Sequence, residues 1–171
     1  MSRHDGRAAV CGNDSGAPMN FDTAAGTRGG WQPGAGGPIG RWWAKRAMNR
    51  IRRTGKMMGL NGLVLTTVGR KSGAERAAPL GWFPGKDGSW LIVAAANGGA
   101  RNPAWYYNIA ARPDKVWIDT AGRTVAVIAE QLHGTERDEA WREIAAAAPR
   151  FAKYQQKTDR ELPIIRLKCS K

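Results

Sequence analysis

The chain has 171 residues and a formal net charge of +13, a length that favours one domain and a charge that points to an anionic partner such as nucleic acid, acidic lipid or a phosphorylated ligand. Its cysteines, Cys11 and Cys169, and its histidines, His4 and His133, form no cluster. That argues against a zinc site and a disulfide framework, and leaves His133 alone to serve any Ser-His-Asp or Cys-His centre.

Residues 1–40 hold ten glycines and three prolines with few large apolar side chains. Such a segment buries too little to offset its ordering entropy, so residues 1–39 read as a disordered tail. It lacks the apolar core of a signal peptide, and no apolar run in the chain approaches the ~20 residues that span a bilayer. A cytoplasmic protein is expected, with residues 40–59 forming a helical segment and residues 60–171 the core domain.

No acidic residue stands between Asp22 and Glu75, while ten Lys and Arg do. The first of the predicted elements, a helix over residues 40–53, carries six of them. Trp43, Ala44, Ala47, Met48 and Ile51 share one face, and Arg41, Lys45, Arg46, Arg50, Arg52 and Arg53 cover the rest. Two readings stay open: docking of the Trp face on the core, or an amphipathic helix lying on an anionic membrane at the inner face of the plasma membrane.

Strand patterns follow. Leu63–Val68 and Ala77–Phe83 flank the turn Gly69-Arg70-Lys71-Ser72-Gly73, and a Pro84–Gly88 turn leads to a strand over Trp90–Ala96. Asn102 and Pro103 read as the cap and first residue of a helix that Pro113 ends. Lys115–Asp119 and Arg123–Glu130 form a second hairpin. Thr135 caps a helix with Trp141, Ile144, Ala145 and Ala148 on one face. Pro149 opens a short helix presenting Phe151 and Tyr154, and Pro163–Leu167 reads as a last strand. Antiparallel strands with a few helices predict a small β-barrel with helical decoration, and no GxGxxG or Walker spacing is present.

The Gly69–Gly73 turn gathers two cations, a hydroxyl and backbone N–H groups, and Arg76 returns on the next strand, a combination suited to phosphate. The alternative is a solvated hairpin tip. Ala94-Ala95-Ala96-Asn97-Gly98-Gly99 lets a flat ligand approach the backbone, and Ala104–Asn108 follows with aromatic rings and an amide. The alternative there is ordinary packing.

Taken in order, Leu65–Gly73, Pro79-Leu80, Val93–Ala95, Gly98-Gly99, Asn102–Tyr106, Asn108, Arg112-Pro113, Glu136-Arg137, Trp141, Pro149, Tyr154, Thr158–Arg160 and Pro163 resemble the deazaflavin-dependent nitroreductase and quinone reductase family of actinobacteria, over about residues 60–167. The resemblance implies a mainly-β split barrel like those that bind flavin mononucleotide, and a hydride donated by the reduced deazaflavin coenzyme F-420 to a quinone-like, nitro or enone acceptor. It implies that Lys71, Ser72 and Arg76, with Arg70 and Gly73, hold the phosphate and anionic tail. Ala78, Pro79, Leu80, Ala94, Ala95, Ala96 and Asn97 would line the ring. Ala104, Trp105, Tyr106, Tyr107 and Asn108 would close it, with Trp105 and Asn108 in direct contact.

Phe151 and Tyr154 would face the substrate, with Tyr154 as proton donor or orienting group; no metal is implied. Members of the family often have Ser-Lys where Ala96-Asn97 stand, and some nitroimidazole-reducing members have tyrosines where Ala148 and Phe151 stand. The more apolar chain here suits a quinone headgroup, menaquinone being the acceptor a membrane-lying helix would reach. A barrel using flavin mononucleotide and a basic nucleic-acid-binding barrel are the alternatives, although no nucleic-acid signature is present and no nucleic-acid partner is expected. Monomer and homodimer both remain open.

Overall fold

The structure, a computed structural model, describes residues 21–30 and 37–170. Its elements are α1 (Pro38–Thr54), β1 (Lys56–Met57), β2 (Leu60–Val68), β3 (Glu75–Pro84), β4 (Trp90–Val93), α2 (Ala104–Ala111), β5 (Val116–Thr120), β6 (Arg123–Gln131), α3 (Gly134–Ala147), α4 (Pro149–Lys157) and β7 (Ile164–Cys169). All strand pairs are antiparallel, in the order β1-β2-β3-β4-β7-β6-β5, and β5 pairs back to β2. Six strands therefore close a barrel, which removes its edges, and β1 is a two-residue appendage beside β2.

The strand period of two divides the apolar residues between two cores. Ile92, Ile165 and Leu167 join Leu63, Leu65, Ile118 and Val127 in one cluster, together with Trp105, Tyr106 and Ile109 from α2. Their neighbours Leu91, Val93 and Ile164 turn the other way, against Ala140, Ile144 and Ala148 of α3 and its end, with Phe151 and Tyr154 of α4 packed on that cluster. Leu63 to Thr67 are all buried, because β2 bonds β3 and β5 and carries both α1 and α2.

Four expectations need correction. Residues 21–30 do not belong to a disordered tail: Phe21 packs on the barrel cluster, and the Gly26 and Gly30 N–H groups donate to the Ala100 and Gly98 carbonyls at 2.7 and 2.8 Å. Backbone bonds can hold a glycine-rich extended segment, and Gly29 lies so close to Ala100 that a Cβ would sit 2.0 Å from its nitrogen. Residues 37–39 cap and open α1, and the rest of the expected tail lies outside the described residues.

Trp43 is not on the docked face of α1. It is 61% exposed, while Ile51 is fully buried. The helix caps are also different: Pro103 and His133, not Asn102 and Thr135, precede α2 and α3. Cys169 is disulfide-bonded, against the expectation of no disulfide framework.

Candidate active site

The basic turn is built by its ends. Gly69 accepts from and donates within the turn, through Gly73 N–H to Gly69 O and Gly69 N–H to Ala74 O, both 2.8 Å. Gly73 sits at φ +69°, where a side chain would be strained. The Ser72 hydroxyl accepts the Ala74 N–H at 3.2 Å, which shapes the turn and leaves its proton to donate outward.

Helix α2 then fixes the turn. Asn108, itself buried, accepts the Arg70 N–H at 3.1 Å and donates to the Thr67 hydroxyl at 3.1 Å. Arg112 donates to the Gly69 carbonyl at 3.0 Å, and the Arg70 guanidinium lies 5.0 Å from the centre of the Tyr107 ring. Arg70, Lys71, Ser72, Gly73 and Arg76 are all exposed on this braced loop. Cations held outward on a fixed backbone suit a phosphate better than a mobile tip would.

The Ala94–Gly99 segment precedes α2 in the chain. After β4 the chain makes one 3-10 turn, Ala96–Gly98, in which Ala96 and Asn97 have φ of +45° and +55°. Neither is glycine, and such conformations persist where the surroundings impose them. The surroundings are α4 and Arg160. Gly98 lies against α4 so closely that a Cβ would stand 2.6 Å from the Tyr154 carbonyl oxygen. Arg160, 3% exposed, donates to the carbonyls of Ala94, Ala95 and Gly99 at 3.0, 3.2 and 3.1 Å and to the Asn102 side chain at 2.5 Å.

Helix α2 thus braces the basic turn at its C-terminal half, while Arg160 holds the Ala94–Gly99 segment and Asn102 just ahead of its start.

Within α2 the expected contacts separate. Ala104 and Tyr107 retain surface. Trp105 and Tyr106 are buried in the barrel cluster, 8% and 2% exposed. The Tyr106 hydroxyl donates to Gln131 Oε1 at 2.6 Å and accepts the Thr23 N–H at 3.1 Å; burial pushes its pKa up. It ties residues 21–30 to the barrel instead of facing a ligand. Asn108 spends its amide on the turn.

In β3, Ala78 and Leu80 pack on the barrel cluster opposite Leu65 and Leu63, with Pro79 between them on the alternate face. Phe151 stands 5.5 Å from Phe83 and 5.7 Å from Tyr154, edge to face, and both α4 rings are half-buried. Ala148 is buried beneath them.

Arg112, Arg160 and residues 21–30 are the parts of this site that sequence reasoning did not single out. The first two stood in the Arg112-Pro113 and Thr158–Arg160 pieces of the matching pattern without an assigned role. A separate cleft of about 170 Å3 lies between the Pro84–Ser89 turn and α3. It shares no residue with the basic turn, and ion pairs from Lys86 to Glu139 and Arg166 to Glu136 occupy its rim.

A closed six-stranded barrel with a braced basic turn defines the class of split-barrel cofactor-binding reductases. Residues 41–168 match the family model of the F420H(2)-dependent quinone reductases, and the chain belongs to that family. An F420H(2)-dependent quinone reductase of Mycobacterium tuberculosis is 34% identical over 106 residues, 60% of this chain and 70% of that protein. A solved F420-H2 dependent reductase superposes with a TM-score of 0.56 at 33% identity, covering 63% of this chain and 93% of that one. A solved domain-swapped dimer does so at 0.57 and 30% identity, covering 75% and 98%.

Proposed function

We propose that this protein binds the reduced deazaflavin coenzyme F-420 across α2 and reduces a quinone-type acceptor. The observation that supports it best is α2 bracing the turn that exposes Lys71, Ser72 and Arg76, with the small-residue segment Ala94–Gly99 held by Arg160 just ahead of that helix in the chain. The residues fit the group: cations and N–H donors for its phosphate, a hydroxyl to direct it, and alanine and glycine backbone where a flat ring must approach.

When bound, the coenzyme supplies a hydride, so the protein needs no nucleophile or metal of its own. Among the described residues no group of three metal-binding side chains occurs. The chain's part is to hold the ring and acceptor in contact and keep water from between them. A quinone that accepts a hydride must also take a proton. The Tyr154 hydroxyl, which makes no hydrogen bond among the described residues, is the donor or orienting group. Phe151 and Tyr154, with Ala148 and Ala96 in place of polar groups, give that side an apolar wall suited to a quinone headgroup.

The acceptor's setting follows from α1. Ile39, Trp42 and Trp43 are 75%, 51% and 61% exposed, beside Arg41, Lys45 and Arg46. No helix among the described residues is long and apolar enough to cross a membrane. An anionic bilayer surface suits that helix end, and a membrane-dissolved quinone such as menaquinone is then the acceptor within reach.

The test is a fluorescence titration with oxidised deazaflavin coenzyme beside flavin mononucleotide. Selective binding of the deazaflavin, weakened at least tenfold by K71A with R76A, supports the reading. Equal or exclusive binding of flavin mononucleotide overturns it.

A further inference from the structure

Among the described residues, Arg160 is a buried cation with no carboxylate partner. Its five side-chain hydrogen bonds end on the carbonyls of Ala94, Ala95 and Gly99 (the last taken twice) and on the Asn102 amide oxygen. The adjacent Asp159 is exposed and turned to Thr27 and Arg28. Burying a guanidinium against neutral oxygens is costly, and packing alone would be served as well by an apolar side chain.

What the arrangement accomplishes lies on the far side of two peptide groups. In a trans peptide the N–H points opposite to the carbonyl, and no described peptide bond is cis. The carbonyls of Ala94 and Ala95 face Arg160, so the N–H groups of Ala95 and Ala96 face away from it. Neither N–H has a hydrogen-bond acceptor among the described residues. Ala95 is right-handed helical at φ −76°, ψ −38° and Ala96 is at φ +45°, an alternation that turns successive N–H groups toward one concavity. A carbonyl that accepts from a cation also leaves its own N–H a stronger donor.

The geometry points to Arg160 as a positioning residue: through the Ala94 and Ala95 carbonyls it aims and strengthens a pair of N–H donors, from Ala95 and Ala96, that hold an oxygen of the bound coenzyme's ring. This rests on the deazaflavin reading above and adds to it the residue that sets the ring end of the site. It also accounts for Ala96 holding a left-handed conformation, since Arg160 fixes the carbonyls on both sides of Ala95. Lysine keeps the charge but cannot span three carbonyls with one ammonium group as a planar guanidinium does.

The experiment is amide NMR of the full chain during titration with oxidised deazaflavin coenzyme, beside dissociation constants for R160K and R160Q. In the native protein the Ala95 and Ala96 amide protons move downfield on binding. In folded R160Q the dissociation constant rises about tenfold or more and those two shifts shrink, while R160K falls between.

A purely structural arginine would lower stability and leave both the shifts and the affinity of the folded fraction unchanged, which overturns the inference. Native protein that binds coenzyme without moving either amide overturns it too, and leaves the deazaflavin reading standing. Native protein that binds no coenzyme removes both. If R160Q does not fold, N102A, which deletes one of the five bonds, is expected to give a smaller change in the same two readouts; native values there count against the inference.

Discussion

Asn108 accepts the backbone N–H of Arg70 at 3.1 Å, so one side chain of α2 decides where the basic turn stands. The same amide donates to the buried Thr67 hydroxyl in β2. N108A therefore removes the partner of the buried Thr67 hydroxyl, a loss of about 1–3 kcal/mol, and frees the part-buried Arg70 N–H at a smaller cost. Denaturant unfolding should register a loss of that order, and coenzyme affinity should fall although Lys71, Ser72 and Arg76 are untouched. Native affinity in folded N108A would show that the turn holds its shape without the helix.

The two ends of α1 make opposite predictions. Ile51 is fully buried against the barrel, and I51A should cost about 2–5 kcal/mol in thermal or urea unfolding. Trp42 and Trp43 touch each other edge to face at 5.0 Å, and Arg46 lies 5.0 Å from the Trp42 ring centre, but both rings are mainly in solvent. W42S with W43S should change stability by no more than about 0.5 kcal/mol each. It should nevertheless abolish co-sedimentation with anionic phosphatidylglycerol vesicles, which the native chain should bind more weakly as salt is raised. Native protein that ignores such vesicles removes the membrane from the account and leaves the quinone chemistry to a soluble acceptor.

The sequence made the barrel legible because its hairpins are local. The apolar, β-branched run Leu63–Val68 and its return Ala77–Phe83, with glycines between, pair across one short turn of chain. The basic turn was legible for the same reason. What stayed hidden depends on distant partners. Arg160 reads as one more surface cation until Ala94, Ala95, Gly99 and Asn102 close around it from 58 to 66 residues away. That Trp105 packs in the barrel and Asn108 bonds the turn was not legible, since a short helix touching the barrel on one side and loops at both ends has no clean polar face. Residues 21–30 resemble a disordered segment because backbone groups, which every sequence has, supply most of their attachment.

That attachment gives the last prediction. The Asp159 carboxylate accepts the N–H groups of Thr27 and Arg28 at 2.9 and 3.0 Å as well as the Thr27 hydroxyl. The Thr27 hydroxyl first, and then the Arg28 N–H, hold its pKa down at about 2, from an ordinary 3.8. A depressed carboxylate pKa means that the charged form is the bound form. The attachment is therefore at full strength above about pH 3.8 and is lost as pH falls through about 2. The Asp159 carboxyl carbon should titrate at that low value in NMR, with the Thr27 and Arg28 amides moving at the same midpoint. At neutral pH, D159N removes the charge and weakens the three contacts, so trypsin should cut faster after Arg28 than in the native chain. Unchanged cleavage, with amides that ignore the carboxyl titration, would mean that Gly26 and Gly30 hold the segment without Asp159.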